Sequence, residues 1–193
     1  MTFITDFADQ AVVLPLALAV GIALLAQGWR RGAAAWALTV AATLAMTLVL
    51  KLLFVACADS LGTADLHSPS GHVAGATIVA GGLAALLLRR PVAALAFAAS
   101  AALVIGYSRL ALAQHSLPET VLGATVGLAG TGALLVLAGR PPHGIESRRI
   151  LLTAAAIALL FHGLHMPAEA HIRGAAYHFA QLLAVCQSSV PRL

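Results

Sequence analysis

AAAWALTVAATLAMTLVLKLLFVA, residues 33–56, carries a single charge, Lys51. A helix needs roughly 20 apolar residues to cross about 30 Å of hydrocarbon. The apolar residues do not alternate with polar ones, so the run reads as a helix and not as a barrel strand. On either side the pattern repeats. Further apolar runs extend from Ala8 to Gln27, Gly71 to Leu88, Pro91 to Gly106 and Leu117 to Ala138. A shorter sixth, Ile150 to Met166, spans if Arg148 and Arg149 snorkel at its base. The expected fold class is all-α: a polytopic membrane bundle of about six transmembrane helices, one membrane domain over residues 1–193. In the tail, Ala168 to Val185, residues Ile172, Ala176, Phe179 and Leu183 share one helical stripe. That predicts a C-terminal amphipathic helix at the outer interface.

Composition agrees. The 193 residues are 61% hydrophobic and 9% charged, where soluble domains carry about 25% charged residues. This excludes a disordered chain and a disulfide scaffold, and argues against a soluble enzyme. The net charge of +4 comes from too few cations for a nucleic-acid partner. Seven of the eleven cations are Arg30, Arg31, Arg89, Arg90, Arg140, Arg148 and Arg149, all in alternate loops. The positive-inside rule makes those loops cytoplasmic. The N-terminus with Asp6 and Asp9, the 57–70 and 107–116 loops and the tail then lie outside. The first residues lack a basic start, so no cleavable signal peptide is expected. Cys57 and Cys186 both fall on the oxidising outer side, where they can pair. Trp29 and Trp36 read as interface anchors, and the spacings Gly71-x-x-x-Gly75 and Gly123-x-x-x-Gly127 read as close helix packing.

The chemistry concentrates in the two outer loops. Lys51, His72, Arg109, His115 and Glu119 all fall at or just inside outer helix ends. Ionisable groups there are functional candidates by default. Ser70-Gly71-His72 opens the third span, and a helix N-terminus suits an anion such as phosphate. Gly71 lets a ligand approach the backbone. Lys51 and Arg109 add positive charge, the latter as a bidentate fork. His115 and Glu119 stand i, i+4, so on a helix they face the same way. A carboxylate on one ring nitrogen raises the nucleophilicity of the other, and His72 can protonate a leaving oxygen. These are the parts of a phosphoryl-transfer site. Plainer structural roles exist beside these. Ser116-Leu117-Pro118-Glu119 fits a capping box, Ser68 or Ser70 fits a helix cap, and Lys51 fits a snorkelling anchor. His162, His165, His171 and His178 lack a compelling ligand spacing and read as interfacial residues, so no metal site is expected.

Pro69-Ser70-Gly71-His72 resembles the second signature of the type-2 phosphatidic acid phosphatases, which share a fold with vanadium haloperoxidases. Ser108-Arg109, five residues, His115, three residues and Glu119 resemble their third signature, and Lys51 lies where the first signature's lysine stands. The likeness covers about residues 33–138. It implies His115 as the nucleophile forming a phosphohistidine and His72 as the acid that later activates water. It implies Glu119 as the group orienting His115, and Lys51, Ser70, Gly71 and Arg109 as phosphate-binding residues. It implies no metal or cofactor, and a lipid phosphate as substrate: phosphatidic acid, phosphatidylglycerol phosphate, undecaprenyl pyrophosphate or a lipid A phosphate. There are two departures. Ala58-Asp59 stand where the first signature has Arg-Pro, and Glu119 stands where the third ends in Asp. His67 and Arg173 are the nearest basic residues for the missing arginine. The alternatives are a lipid phosphotransferase of the same chemistry, or a catalytically weak lipid-binding or transport protein.

Overall fold

The computed structural model describes residues 1–57, 68–88, 90–168, 171–172 and 174–176. Among them run α1 (Thr2–Asp6), α2 (Gln10–Ala26), α3 (Arg30–Ala56), α4 (Gly71–Leu88), α5 (Pro91–Ala111), α6 (Leu117–Leu137) and α7 (Ser147–Phe161). No strand occurs among the described residues. Five segments are long and apolar enough to cross a membrane: Thr2–Ala26, which holds α1 and α2, and then α3, α4, α5 and α6. The protein is a helical membrane bundle.

The sixth run differs from expectation. It forms α7, fifteen residues ending at Phe161 and not at Met166. Fifteen residues reach only about 22 Å. Gly163 follows in the left-handed region at φ 81° and turns the chain away. The expected tail helix, Ala168 to Val185, lies largely outside the described residues, as do His67, Arg173 and Cys186. Cys57 is disulfide-bonded.

Lipid exerts no hydrophobic force between helices, so contact comes from shape and buried polar groups. α4 is the central element, packed on α5, α6 and α3. Two glycines let α6 approach it. A Cβ at Gly123 would stand 2.5 Å from the Ser70 carbonyl oxygen, and one at Gly127 would stand 2.5 Å from Cβ of Thr77. The packing expected of the Gly123/Gly127 pair is present. Gly71 and Gly75 meet nothing nearer than 3.5 Å, so their spacing is not a close-packing motif here.

Trp29 and Trp36 differ from expectation. Both are buried, not set in an interface belt. Trp36 lies in a core with Leu24, Ile78 and Leu134, and its Nε1–H donates to the Ala17 carbonyl at 2.8 Å. Gly82 makes the room: a Cβ there would stand 2.7 Å from the Trp36 ring.

The buried stripes carry polar residues to one end. On α3 the inward residues are Trp36, Thr39, Val40, Thr43, Thr47 and Lys51, at helical i+3/i+4 steps. Thr39 and Thr47 return their hydroxyls to carbonyls four residues back, which satisfies them in an apolar medium. On α5 the stripe is Ala94, Ala98, Ala102, Ile105 and Arg109. Each stripe thus ends in a cation. At the opposite end Arg31 donates to the Leu137 carbonyl at 2.9 Å and the Glu146 N–H to Gln27 at 2.6 Å. The arginine-bearing turns therefore gather away from Lys51 and Arg109.

Candidate functional site

α5 continues to Ala111, five residues beyond the expected end of its run at Gly106. Arg109 is therefore on the helix, not in a loop. The chain then turns through Ala113, at φ 52°, and reaches His115 and Ser116 before α6 begins. Ser116 is the N-cap of α6 and Glu119 its third residue. Both halves of a capping box are present.

That box also builds the histidine–carboxylate pair. Glu119 Oε2 accepts the Ser116 N–H at 3.0 Å and lies 2.8 Å from Nδ1 of His115. Its Oε1 accepts the Ser68 N–H at 2.7 Å. The contact expected from two residues on one helix face is made differently: His115 precedes the helix and meets a carboxylate that caps it. The capping and orienting roles of Glu119 coexist on one oxygen: Oε2 takes both the Ser116 N–H and His115, which leaves Oε1 for Ser68. Main-chain bonding closes the link, with the Ser70 N–H donating to the Glu119 carbonyl at 3.0 Å. Ser70 itself is fully buried at the entry to α4, its Oγ 3.5 Å from the Val73 N–H.

Lys51, Gly71, His72, Arg109 and His115 line one cavity of about 750 Å³. Its wall near Gly71 is low: the Lys51 Cε and the Gln10 amide lie 3.8 Å from where a Cβ would stand. The cavity is apolar along Leu14 of α2 and Leu44 and Leu48 of α3. Leu44 is seven residues before Lys51, so this wall descends about 10 Å along α3.

Four charged side chains are buried here: Lys51 at 6% exposure, Arg109 at 8%, Asp9 at 5% and Glu119 at 6%. Buried charge is tolerated when opposite signs share the site, and two cations face two carboxylates. Burial pushes the His115 ring below its ordinary 6.5, while the hydrogen bond and charge of Glu119 oppose that shift. An uncharged ring that donates its Nδ1–H to Glu119 carries a lone pair on Nε2.

Asp9 was legible only as an outer-side acid. It is the N-cap of α2, where its Oδ1 accepts the Ala11 N–H at 2.8 Å and the Met166 N–H at 3.1 Å. Its Oδ2 lies 3.6 Å from Nε2 of His72. An N-cap before an apolar run was the available signal. Around it, His165 meets Asp6 at 3.0 Å and His162 sits on Phe3 and Phe7. These histidines tie the N-terminal segment to the one after α7. Among the described residues no three His, Cys, Asp or Glu side chains gather as a metal site.

No family model and no solved structure matches the chain. It is 34% identical over 145 residues to an "Uncharacterized 22.5 kDa protein in cps region" of Klebsiella pneumoniae, covering 72% of this chain and 69% of that protein. The chain belongs to the same family as that protein.

Proposed function

We propose that this member of the family is a lipid phosphate phosphatase of the type-2 phosphatidic acid phosphatase kind, working at the outer face of a bacterial inner membrane. One observation carries the reading. His115, held through Nδ1 by Glu119 at 2.8 Å, lines the same cavity as Lys51, Arg109 and His72. That combines a nucleophile with its orienting carboxylate, two cations for a phosphate and a second histidine for proton transfer.

In the first half-reaction a bond forms from Nε2 of His115 to phosphorus, and the bond from phosphorus to the lipid oxygen breaks. The leaving oxygen keeps the bonding pair and takes a proton from His72. In the second half, water attacks phosphorus and gives a proton to His72. The nitrogen–phosphorus bond then breaks, its pair returning to Nε2, and phosphate leaves. Lys51 and Arg109 stabilise the phosphoryl oxygens throughout, assisted by the main-chain N–H groups at Gly71 and His72 that open α4. A lipid substrate suits the cavity, because Leu14, Leu44 and Leu48 continue it as an apolar wall toward the bilayer interior.

The test is phosphate release by purified protein in detergent, without added metal. The substrates are phosphatidic acid, phosphatidylglycerol phosphate, undecaprenyl pyrophosphate and a lipid A phosphate, with His115→Ala beside wild type. Release by wild type and none by the variant is the expected result. No release from any lipid by wild type would overturn hydrolysis. Transfer of phosphate to a second lipid would then be measured.

A further inference from the structure

Asp9 has two carboxylate oxygens with different duties. Oδ1 is held by two main-chain N–H groups, from Ala11 on its own helix and from Met166, at 2.8 and 3.1 Å. Two such bonds fix the carboxylate plane. Oδ2 is thereby aimed at Nε2 of His72, 3.6 Å away. Asp9 is 5% exposed, so little water screens this contact.

The other charged and titratable groups facing His72 are Lys51 from α3, Arg109 from α5 and His115 from the α5–α6 turn. All are cations or potential cations and oppose an imidazolium. Asp9 is the carboxylate among these neighbours, so it is the acceptor toward which a ring N–H can turn. With Nε2 turned to Asp9, Nδ1 is the nitrogen left for the substrate.

We infer that Asp9 is the positioning residue for His72, holding the ring with Nε2–H toward its carboxylate so that Nδ1 is presented to the leaving oxygen. This rests on the phosphatase reading for His72. It pairs each histidine with its own carboxylate: Glu119 orients His115, and Asp9 orients His72. Asp9 itself neither gains nor loses a proton in either half-reaction.

Asp9→Asn separates charge from structure, because asparagine caps a helix as well as aspartate does. Purified full-length wild type, Asp9→Asn, Asp9→Glu, His72→Asn and the Asp9→Asn/His72→Asn double variant are assayed on phosphatidic acid across pH. Asp9→Asn is expected to lower kcat about ten- to hundredfold, a part of the roughly hundred- to ten-thousandfold that a general acid contributes, with KM changed by less than about threefold. The alkaline limb of its kcat profile moves to lower pH, because a negative charge beside the ring is lost. Asp9→Glu recovers part of the rate, and Asp9→Asn adds no loss on the His72→Asn background. A wild-type kcat and alkaline limb in Asp9→Asn, or a full further loss in the double variant, would overturn the inference. Failure of the phosphatase reading looks different, since wild type would release no phosphate. In that event 15N-histidine NMR of the same proteins decides. A changed His72 tautomer or titration in Asp9→Asn supports the pair, and an unchanged one overturns it.

Discussion

The backbone N–H of Ser70 donates to the carbonyl oxygen of Glu119 at 3.0 Å, which joins the entry of α4 to the first turn of α6. The Ser68 N–H reinforces the joint by donating to the Glu119 carboxylate at 2.7 Å. The segments that carry His72 and His115 are therefore tied together at Glu119, through its main-chain carbonyl and its buried carboxylate. Rigid support of this kind is what a preorganised site requires.

Glu119→Gln removes the charge that orients His115 while leaving a side chain able to cap. The expected result is a loss in kcat of about a hundredfold or more, with the helical circular dichroism unchanged. Glu119→Asp, one methylene shorter, reaches His115 or Ser68 but not both, and falls between. A wild-type rate in Glu119→Gln would show that the carboxylate is only a cap.

His115 sets the acid side of the pH profile. Its Nε2 attacks only when unprotonated, and burial holds the ring below 6.5 against the opposing pull of Glu119. The His115 contribution to activity is thus fully present above pH 6.5 and is lost as pH falls through the lowered value. Glu119→Gln takes away the opposing pull, so the acid limb of its residual activity moves further down. Initial rates from pH 4 to 8 check this, and an acid limb at or above 6.5 contradicts it.

Arg109→Lys keeps the charge and loses the planar fork. Charge-assisted phosphate contacts are worth about 1.5–3 kcal/mol, so kcat/KM is expected to fall about ten- to hundredfold. A change under about threefold would mean that a point charge suffices at this position.

Gly123→Ala puts a methyl 2.5 Å from the Ser70 carbonyl oxygen, a backbone atom that cannot rotate away. Overpacking costs about 1–3 kcal/mol. The expected outcome is a lower unfolding temperature in detergent together with lost phosphatase activity, since the junction itself is displaced. Gly132→Ala, with nothing within 4 Å, is the control and should leave both unchanged.

Orientation is checked by labelling. Gln114 and His143 are exposed at opposite ends of the bundle. A membrane-impermeant maleimide is expected to label Gln114→Cys in intact cells and His143→Cys only after permeabilisation. The reverse pattern would place the site on the cytoplasmic side.

The class of the fold was plain from the chain, because a helix of some twenty apolar residues satisfies its own main chain and has few alternatives in lipid. Lys51 and Arg109 were readable as residues at helix ends. Their inward direction follows from the stripes Trp36-Thr39-Thr43-Thr47-Lys51 and Ala94-Ala98-Ala102-Arg109, which are also periodic in sequence. Trp29 and Trp36 misled, because an aromatic near a loop suits a headgroup belt as well as a core. Only the space left by Gly82 distinguishes the two for Trp36.

Local order alone determined the helices, the alternation of their ends and the motif residues, since propensity, apolar length and charge placement act over neighbouring positions. Tertiary structure decided the rest. It turned the His115–Glu119 spacing into a cap-built pair, stopped α7 at Phe161, and brought Asp9 from the chain's start to within 3.6 Å of His72. That contact spans more than sixty residues of sequence. It exists because α2 packs against α4 and because the Ala11 and Met166 amides hold the carboxylate, and no periodicity within one segment encodes such a meeting.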